Sequence, residues 1–284
     1  RQPLHNIVKA SSSPGAMGNL CSAAAATGPA YQDFVAASEI DKKLKDRKTM
    51  VIVGGGYAGA CLAKTCDPEF NVILINKTDY LLQVMAAHRV TIPGKMDYWE
   101  PRMKLPYNYL LNNGAFVKGE VTAIETSHVE LKDGRKIPFD VCACATGTKK
   151  NGFFVPEEMN GSTKSTDVKP WYESVQKELS KAKSIIVVGG GIVGVETIAE
   201  MAALPNKPKL TLLSSGPAFK WADLDKKLSE EVLKQLKEKK IEVVFGAHAK
   251  EVPSWKAGGP NSGTIKTEDG KSYSADVIIN CTGS

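Results

Sequence analysis

The pattern of apolar residues along the chain has the same form in two places. Residues 51–53 and 186–188 are unbroken β-branched runs, and each is followed by a Gly-rich turn and then by a helical pattern. A continuous apolar run next to glycines predicts a strand that is buried on both faces, as in a parallel sheet. Each copy therefore predicts a strand, a turn and a helix in that order.

A second shared pattern follows in each copy at a fixed distance. Asp140 and Gly147 match Asp276 and Gly283, and both pairs are 136 positions apart (276 − 140 = 283 − 147 = 136). An Asp-Gly turn precedes each of these strands at the same offset. Self-similarity at a fixed offset indicates repeated structural units. The sequence therefore predicts an α/β fold of two Rossmann-like units, each with a β-meander.

Both Gly-rich turns have the spacing G-x-G-x-x-G. The glycines are Gly54, Gly56 and Gly59 in the first copy and Gly189, Gly191 and Gly194 in the second. Between a strand and a helix this spacing is typical of dinucleotide binding, because the helix N-terminus and the close backbone approach hold the pyrophosphate. A single motif also occurs in ordinary Gly-rich turns, but its repetition together with the Thr-Gly strand favours dinucleotide binding.

The second strand of each unit ends in an uncharged residue, where an acidic residue usually holds the ribose hydroxyls. This residue is Asn76 in the first unit and Ser214 in the second. An amide oxygen accepts a hydrogen bond without carrying charge, so Asn76 predicts weaker ribose binding than an acid. In the second unit no acid repels a 2′-phosphate, and the nearest cations are Lys209 and Lys220. The choice between NADH and NADPH stays open.

Composition is that of an ordinary soluble globular protein, with 42% hydrophobic and 24% charged residues. The net charge is +6 and the basic residues are scattered, which does not favour nucleic acid as a partner. The six cysteines lie in strand and helix patterns, which indicates a reducing, cytoplasmic setting. The four histidines are isolated, so no metal site is expected.

Two cysteine pairs are candidates for a redox disulfide. Cys61 and Cys66 are five residues apart in a predicted helix and so point in different directions. Cys142 and Cys144 share one face of a predicted strand, which is a poor geometry for a disulfide. Structural, buried thiols are the better interpretation of both pairs.

The chain divides into four predicted segments. Residues 1–48 are expected to be a disordered extension, and residues 151–167 are rich in turn formers and connect the two units. The units themselves are predicted at 49–150 and 168–284, and the second is expected to fold by itself. Its crossover helix should place Leu224, Leu228, Val232 and Leu236 on one apolar face.

The N-terminal extension contains a candidate lipid signal. MGNLCS at 17–22 matches the myristoylation pattern, and Cys21 is placed for a palmitoyl chain. One myristoyl chain binds membranes only marginally, so Cys21 or the basic run at 42–48 would have to add a second signal. Together they predict attachment to the cytosolic face of a membrane. Sixteen residues precede Met17, so a chance match in a disordered tail stays open.

Four stretches of the sequence resemble the two-dinucleotide-fold flavoproteins of the pyridine nucleotide-disulfide oxidoreductase superfamily. Within it the resemblance is to the apoptosis-inducing factor-like and ferroptosis suppressor protein subgroup, and it covers about residues 49–284. The stretches are VIVGGGYAGACLA, INKTDYLLQVMAAHR, FDVCACATGT and IIVVGGGIVGVETIAEM. The resemblance implies that the first unit binds FAD and the second binds NAD(P)H.

The resemblance also implies a role for each matched position. The FAD site comprises Gly54, Gly56, Gly59, Asn76, Arg89, Val121, Thr146 and Gly147. The NAD(P)H site comprises Gly189, Gly191, Gly194 and Glu196, with Gly283 as a further cofactor-binding position. Arg89 is expected near the flavin, the Val121 backbone at the adenine and Glu196 near the nicotinamide. A surface cation at Arg89 and a first-turn glutamate at Glu196 are the alternative interpretations.

The implied activity is that of an FAD-dependent NAD(P)H oxidoreductase with a quinone-type acceptor. No catalytic residue is expected from the protein, because the cofactors carry the hydride chemistry. In the resembling family the chain returns from the second unit to finish the first, so this sequence predicts an FAD unit that is incomplete at the C-terminus. The alternatives are a non-catalytic nucleotide-binding module and a lipid-anchored interaction module with a degenerate or truncated FAD site.

Overall fold

The computed structural model describes residues 47–148, 153–155, 168–217, 219, 226–256 and 258–283. Of the extension predicted to be disordered, only residues 47 and 48 are among the described residues. The MGNLCS motif, Cys21 and most of the basic run at 42–48 therefore lie outside them. Most of the predicted connection at 151–167 lies outside them as well.

The first Rossmann-like unit is a four-stranded parallel sheet with an added antiparallel layer. Its elements are β1 (Thr49–Val53), α1 (Tyr57–Cys66), β2 (Asn71–Asn76), β3 (Tyr80–Leu82), β4 (Lys104–Pro106), β5 (Ala115–Lys118), β6 (Val121–Ile124), β7 (His128–Leu131), β8 (Lys136–Pro138) and β9 (Val141–Cys144). Two helices, α2 (Ala87–Val90) and α3 (Met96–Met103), come between β3 and β4. The sheet order is β5-β2-β1-β9, and β6, β7 and β8 form the predicted meander.

Both faces of the first sheet are covered, as the unbroken apolar runs predict. Ile52 and Leu74 are fully buried on the face that packs against Ala60 and Ala63 of α1. Val51 and its neighbours on alternate positions pack against the meander instead. Successive side chains of a strand point to opposite faces, so a strand covered on both sides has to be apolar at every position.

The second unit repeats this architecture. Its elements are α4 (Val168–Leu179), β10 (Ser184–Val188), α5 (Ile192–Met201), β11 (Lys209–Leu213), α6 (Lys226–Glu238), β12 (Ile241–Val244), β13 (Gly263–Lys266), β14 (Ser272–Ala275) and β15 (Val277–Asn280). The parallel sheet has the order β12-β11-β10-β15. Among the described residues the added layer here is a two-stranded sheet, β13-β14, to which an isolated bridge joins Ala249 and Thr267.

The repeated aspartates tie the last strand of each sheet to the start of the first. Asp140 Oδ2 accepts a hydrogen bond from the Thr49 N–H at 2.7 Å. Asp276 Oδ2 accepts one from the Lys183 N–H at 2.7 Å and one from the Ser184 N–H at 3.0 Å. These backbone bonds lower the pKa of Asp276. The fixed offset of 136 residues thus marks an equivalent structural contact in both units.

Grouping the residues by contact gives two compact units. Residues 47–83 and 102–148 form one, while residues 84–101 group with the second unit, together with 153–155 and the described residues from 168 onward. Residues 84–101 belong to the first unit in the division based on sequence, because they precede its last strands. They carry α2 and the start of α3, and α2 packs against α5.

The predicted apolar face of the crossover helix is wrong at one position. Leu228 is 52% exposed, whereas Leu236 is buried as expected. The buried side of α6 also includes Ser229, a polar residue that the apolar pattern passed over. Leu228 lies near the start of the described part of α6, and Leu224 lies outside the described residues.

Candidate nucleotide-binding sites

The first glycine of each motif is required by its backbone conformation and by its neighbours. Gly54 has φ +103° and Gly189 has φ +122°, values in the left-handed region that favours glycine. A Cβ on Gly54 would overlap the Ala145 carbonyl oxygen, and a Cβ on Gly189 would overlap that of Cys281. Both turns are therefore in close contact with the backbone that follows the last strand of their own sheet.

The third glycine of each motif lets the helix close onto the turn. A Cβ on Gly59 would overlap the Gly54 carbonyl oxygen, and a Cβ on Gly194 would overlap that of Gly189. Any larger residue would push α1 or α5 away from its strand. This close approach brings the first turn of each helix to the carboxyl edge of the sheet.

The second glycine of each motif faces open space. A Cβ on Gly56 or Gly191 would have nothing within 4 Å. Both residues are helix N-caps in extended conformation, and neither helix has a side-chain cap. The first N–H groups of α1 and α5 are therefore left without a side-chain acceptor at a site open to a ligand. This arrangement fits the pyrophosphate of a dinucleotide in both units.

The structure brings Thr146 and Gly147 to the first Gly-rich turn. A Cβ on Gly54 would lie 2.9 Å from the Thr146 Cα, and both residues of the Thr-Gly pair are exposed. Val121 is the first residue of β6 and packs partly against the core beneath the meander. Within residues 47–83 and 102–148, predicted FAD positions thus lie in the first Gly-rich turn, at the start of α1 and directly after β9.

Asn76 is held in a hydrogen-bond network with the first turn. Its Oδ1 accepts a hydrogen bond from the Gly55 N–H at 2.9 Å, and its Nδ2 donates to the Tyr107 hydroxyl at 3.0 Å and to Thr78 Oγ1 at 2.9 Å. The Tyr107 hydroxyl in turn donates to the Gly55 carbonyl oxygen at 2.6 Å. Both hydrogens of the amide and one lone pair of its oxygen are engaged within the protein.

This network explains why an amide stands where an acid is usual. An amide can accept from the Gly55 N–H and donate to Tyr107 at once, whereas a carboxylate has no proton to donate. A carboxylate would also face the Thr78 carbonyl oxygen, which lies 3.2 Å from Asn76 Nδ2. The sequence missed Tyr107, which is 31 residues beyond Asn76, because no local pattern links the two.

In the second unit the Gly-rich turn opens onto a cavity of about 630 Å³. Gly189, Gly191 and Gly283 line it, as does Ser214 at the end of β11, whereas Gly194 and Glu196 do not. Ser214 is buried, and a Cβ on Gly190 would overlap its Oγ. The structure therefore brings three of the five predicted positions, Gly189, Gly191 and Gly283, together around one space.

The lining of this cavity also includes residues that were not among the predicted site residues. Ser215, His248 and Glu268 are three of them with polar side chains. His248 follows β12, and Glu268 lies in the turn between β13 and β14. The Asp-Gly turn that begins at Asp269 predicts this hairpin from the sequence. No sequence pattern predicts that Glu268 lies beside the carboxyl end of β11.

Arg89 and Glu196 both lie in the second unit. The Arg89 guanidinium is 3.4 Å from Glu200 of α5 and lies over the Trp99 ring, 4.9 Å from its centroid. Glu196 is exposed on α5. Burial lowers the pKa of the neighbouring His88, and the charges of Glu196 and Glu200 oppose that shift. The proposed roles of Arg89 and Glu196 beside the cofactors stay predictions.

The cysteines of the described residues are free thiols. Burial raises the pKa of Cys142 to about 11 and that of Cys281 to about 12, so both thiols are neutral at physiological pH. Cys61 and Cys66 are half-buried in α1, and Cys144 is exposed. Within the described ranges no group of three or more His, Cys, Asp or Glu residues could hold a metal ion. No helix there is long and apolar enough to cross a bilayer.

Comparison with known proteins gives consistent matches. The pyridine nucleotide-disulphide oxidoreductase family matches residues 48–284. Apoptosis-inducing factor homolog B of Dictyostelium discoideum is 28% identical over 250 residues, which cover 82% of this chain and 63% of that protein. Ferroptosis suppressor protein 1 of Xenopus tropicalis is 28% identical over 240 residues, which cover 82% and 62%. The chain thus spans less than two thirds of the length of these curated relatives.

A solved structure shows the same fold. The sulfide:quinone oxidoreductase of the hyperthermophilic bacterium Aquifex aeolicus has a TM-score of 0.58 with this chain at 18% identity, and the match covers 82% of this chain and 58% of that one. The predicted pair of Rossmann-like units is confirmed by this likeness and by the two parallel sheets.

Proposed function

The chain belongs to the pyridine nucleotide-disulphide oxidoreductase family, and from that premise we propose that it is an FAD-dependent NAD(P)H oxidoreductase that passes electrons to a quinone-type acceptor. One observation carries the proposal. Each unit has a Gly-rich turn whose second glycine is open on its Cβ side and stands at a helix N-terminus without a side-chain cap. Two such sites in one chain suit a pair of dinucleotides.

The protein's part in the reaction is to bind and orient. The N–H groups at the start of α1 would hold the FAD pyrophosphate, and those at the start of α5 would hold that of NAD(P)H. Asn76 and Tyr107 keep the first turn in its binding conformation through their bonds to Gly55. When bound, the two cofactors supply the hydride and electron chemistry themselves.

Two apolar residues at the start of α5 suit a nucleotide. Ile192 and Val193 are 64% and 50% exposed, and both line the cavity of the second unit. Exposed aliphatic side chains at a cavity mouth gain from being covered by a ligand, because burial removes them from water. They would pack against the bound nucleotide and keep water from it.

The cysteine arrangement supports a small-molecule acceptor over a protein disulfide. Cys142 and Cys281 have raised pKa values, which makes them poor nucleophiles at neutral pH. The half-buried Cys61 lies in the middle of α1 and Cys66 at its end, and residues five apart in a helix point in different directions. A quinone-type acceptor is the class that the resemblance to the ferroptosis suppressor protein subgroup implies.

The second candidate function is a nucleotide-binding module without flavin chemistry. The observation in its favour is the position of Asn76, whose amide is engaged with Gly55, Thr78 and Tyr107. A side chain bound in this way has one remaining oxygen lone pair to offer to a ribose hydroxyl. Flavin content and nucleotide binding, measured separately, distinguish the two candidates.

A membrane location is a separate proposal. Myristate on Gly18 and a second lipid on Cys21 would place the enzyme on the cytosolic face of a membrane, where a quinone is dissolved. Labelling cells with a myristate analogue tests it, with Gly18→Ala as the control. Label that is absent, or that survives the substitution, would remove the membrane proposal and leave the redox proposal intact.

Matched valine substitutions test the assignment of the two turns. Gly56→Val and Gly191→Val each place a side chain in space that is empty in the protein itself, so both variants should fold. Gly56→Val should weaken FAD binding by about tenfold, since losing one charge-assisted hydrogen bond costs about 1.5 kcal/mol. Gly191→Val should keep FAD and lose nicotinamide nucleotide binding to a similar extent. Equal effects of both variants on both ligands would contradict the assignment.

A further inference from the structure

The cavity of the second unit contains an acidic residue that does not come from the usual strand. Glu268 lines the cavity together with Ser214 and Ser215, which follow β11. A chain of backbone hydrogen bonds connects these positions: the Ala247 N–H donates to the Ser214 carbonyl oxygen, and the Glu268 N–H donates to that of His248, both at 2.9 Å. The hairpin turn thus stands beside the carboxyl end of β11.

Glu268 brings a negative charge to a space with little to balance it. Its side chain is exposed, and among the described residues none forms an ion pair with it. No lysine or arginine within the described ranges lines the cavity, and His248 is the one lining residue there that can carry a positive charge. Lys220, close in sequence to this edge, lies outside the described residues.

The position matters because the end of the second strand is where a Rossmann-like unit meets the adenosine ribose. That end carries the neutral Ser214 and Ser215 here. A carboxylate beside it accepts a hydrogen bond from a ribose 2′-hydroxyl and repels a 2′-phosphate. Glu268 therefore stands where it can do from the hairpin what an acid at the end of β11 does elsewhere.

We propose that Glu268 makes the second unit selective for NADH over NADPH. The inference rests on the proposed role of this unit in binding a nicotinamide nucleotide, and it names which nucleotide. Its basis is the shared cavity of Glu268, Ser214 and Ser215 and the lack of a lining cation within the described ranges.

The test is to titrate the purified chain with NADH and with NADPH and to measure binding by calorimetry, which requires no turnover. The expected result is that NADH binds about tenfold more tightly than NADPH, and that Glu268→Gln reduces this ratio to about threefold or less, mainly by tightening NADPH. Glu238→Gln is the matched control. Glu238 ends α6 directly before β12, so it lies at the opposite edge of the sheet from the cavity.

Two further measurements keep the proposal decidable. The preference of the unmodified chain for NADH should shrink as salt is added, because screening weakens the repulsion of the 2′-phosphate. This holds even if Glu268→Gln does not fold. His248→Gln should increase the preference or leave it unchanged, since it removes a group that can attract that phosphate.

Three results would overturn the proposal: equal or tighter binding of NADPH, an unchanged ratio in Glu268→Gln, or binding of neither nucleotide. Flavin content is measured on the same preparations. A chain that shows the NADH preference but binds no FAD would contradict the proposed redox function and support the role of Glu268. A chain that binds FAD but prefers NADPH would contradict the role of Glu268 and leave the proposed redox function supported.

Discussion

Single residues of the first unit decide the shape of its Gly-rich turn. Asn76 and Tyr107 bond to the N–H and the carbonyl oxygen of Gly55. Tyr107 is also stacked on Phe116, with ring centroids 4.6 Å apart. A buried hydroxyl with a partner on each side is expensive to remove, because each partner is left unsatisfied. The turn is therefore set by side chains as well as by its glycines.

The variant Tyr107→Phe tests this account of the turn. It should lower the free energy of unfolding by about 1–2 kcal/mol, because the Gly55 carbonyl and the Asn76 amide lose a buried partner. Chemical denaturation measures the change. Tyr109→Phe, at a residue that is 55% exposed in the same short helix, is the matched control and should change stability by less than about 0.5 kcal/mol. Similar losses in the two variants would speak against the network.

At the scale of elements, the strands and turns that carry the site follow from local signals in the sequence. The apolar runs, the glycine spacing and the Asp-…-Thr-Gly strands predict β1, β10 and the two Gly-rich turns. Contacts between distant residues have no such signal: Tyr107 is 52 residues from Gly55, and Glu268 reaches its cavity through a hairpin. Leu228 shows a further limit, since a helical pattern does not reveal which of its apolar positions the rest of the fold covers.

The repeated aspartate predicts a pH effect on the second sheet. The pKa of Asp276 is lowered first by the hydrogen bond from the Lys183 N–H, with further bonds from Ser184. A carboxyl with a lowered folded pKa stabilises the fold above its unfolded pKa of about 4, and this contribution is lost as pH falls through the folded value. Asp276→Asn should therefore destabilise the chain at pH 6, and this effect should become smaller as pH falls below about 4.

Urea unfolding of the unmodified chain and of Asp276→Asn across this pH range measures the difference. Glu238→Gln, at an exposed carboxyl of α6, is the control and should give no such pH-dependent difference. A gap between the unmodified chain and Asp276→Asn that stays constant from pH 6 to pH 3 would contradict the role assigned to the carboxylate.

At the scale of the whole molecule, the second unit includes more of the chain than its repeat. Phe153 is fully buried, with its ring centroid 4.9 Å from that of Trp255. The Tyr172 hydroxyl donates to the Phe154 carbonyl oxygen at 2.7 Å. The turn formers at 151–167 predict a connection between the units. They give no sign that Phe153 and Phe154 pack with the unit that follows. Composition describes a segment on average, whereas packing depends on individual side chains.

Two segments of the chain test this extension of the second unit. Both 168–284 and 149–284 should fold, and the longer one should be more stable by about 2 kcal/mol or more, because it buries Phe153. Circular dichroism during thermal unfolding gives the comparison. Phe153→Ala in the longer segment should bring its midpoint back towards that of the shorter one. Equal midpoints for the two segments would show that 153–155 contribute nothing to the unit.

The proposed oxidoreductase function is tested most directly by anaerobic reduction of protein expressed from its complete reading frame. The account predicts that the purified protein is yellow, that NADH bleaches its visible flavin absorption, and that a soluble quinone restores the colour. Gly191→Val should stay yellow and resist bleaching, because its flavin turn is intact and its nucleotide site is filled. Protein that carries no flavin, or flavin that both NADH and NADPH leave oxidised, would contradict the account.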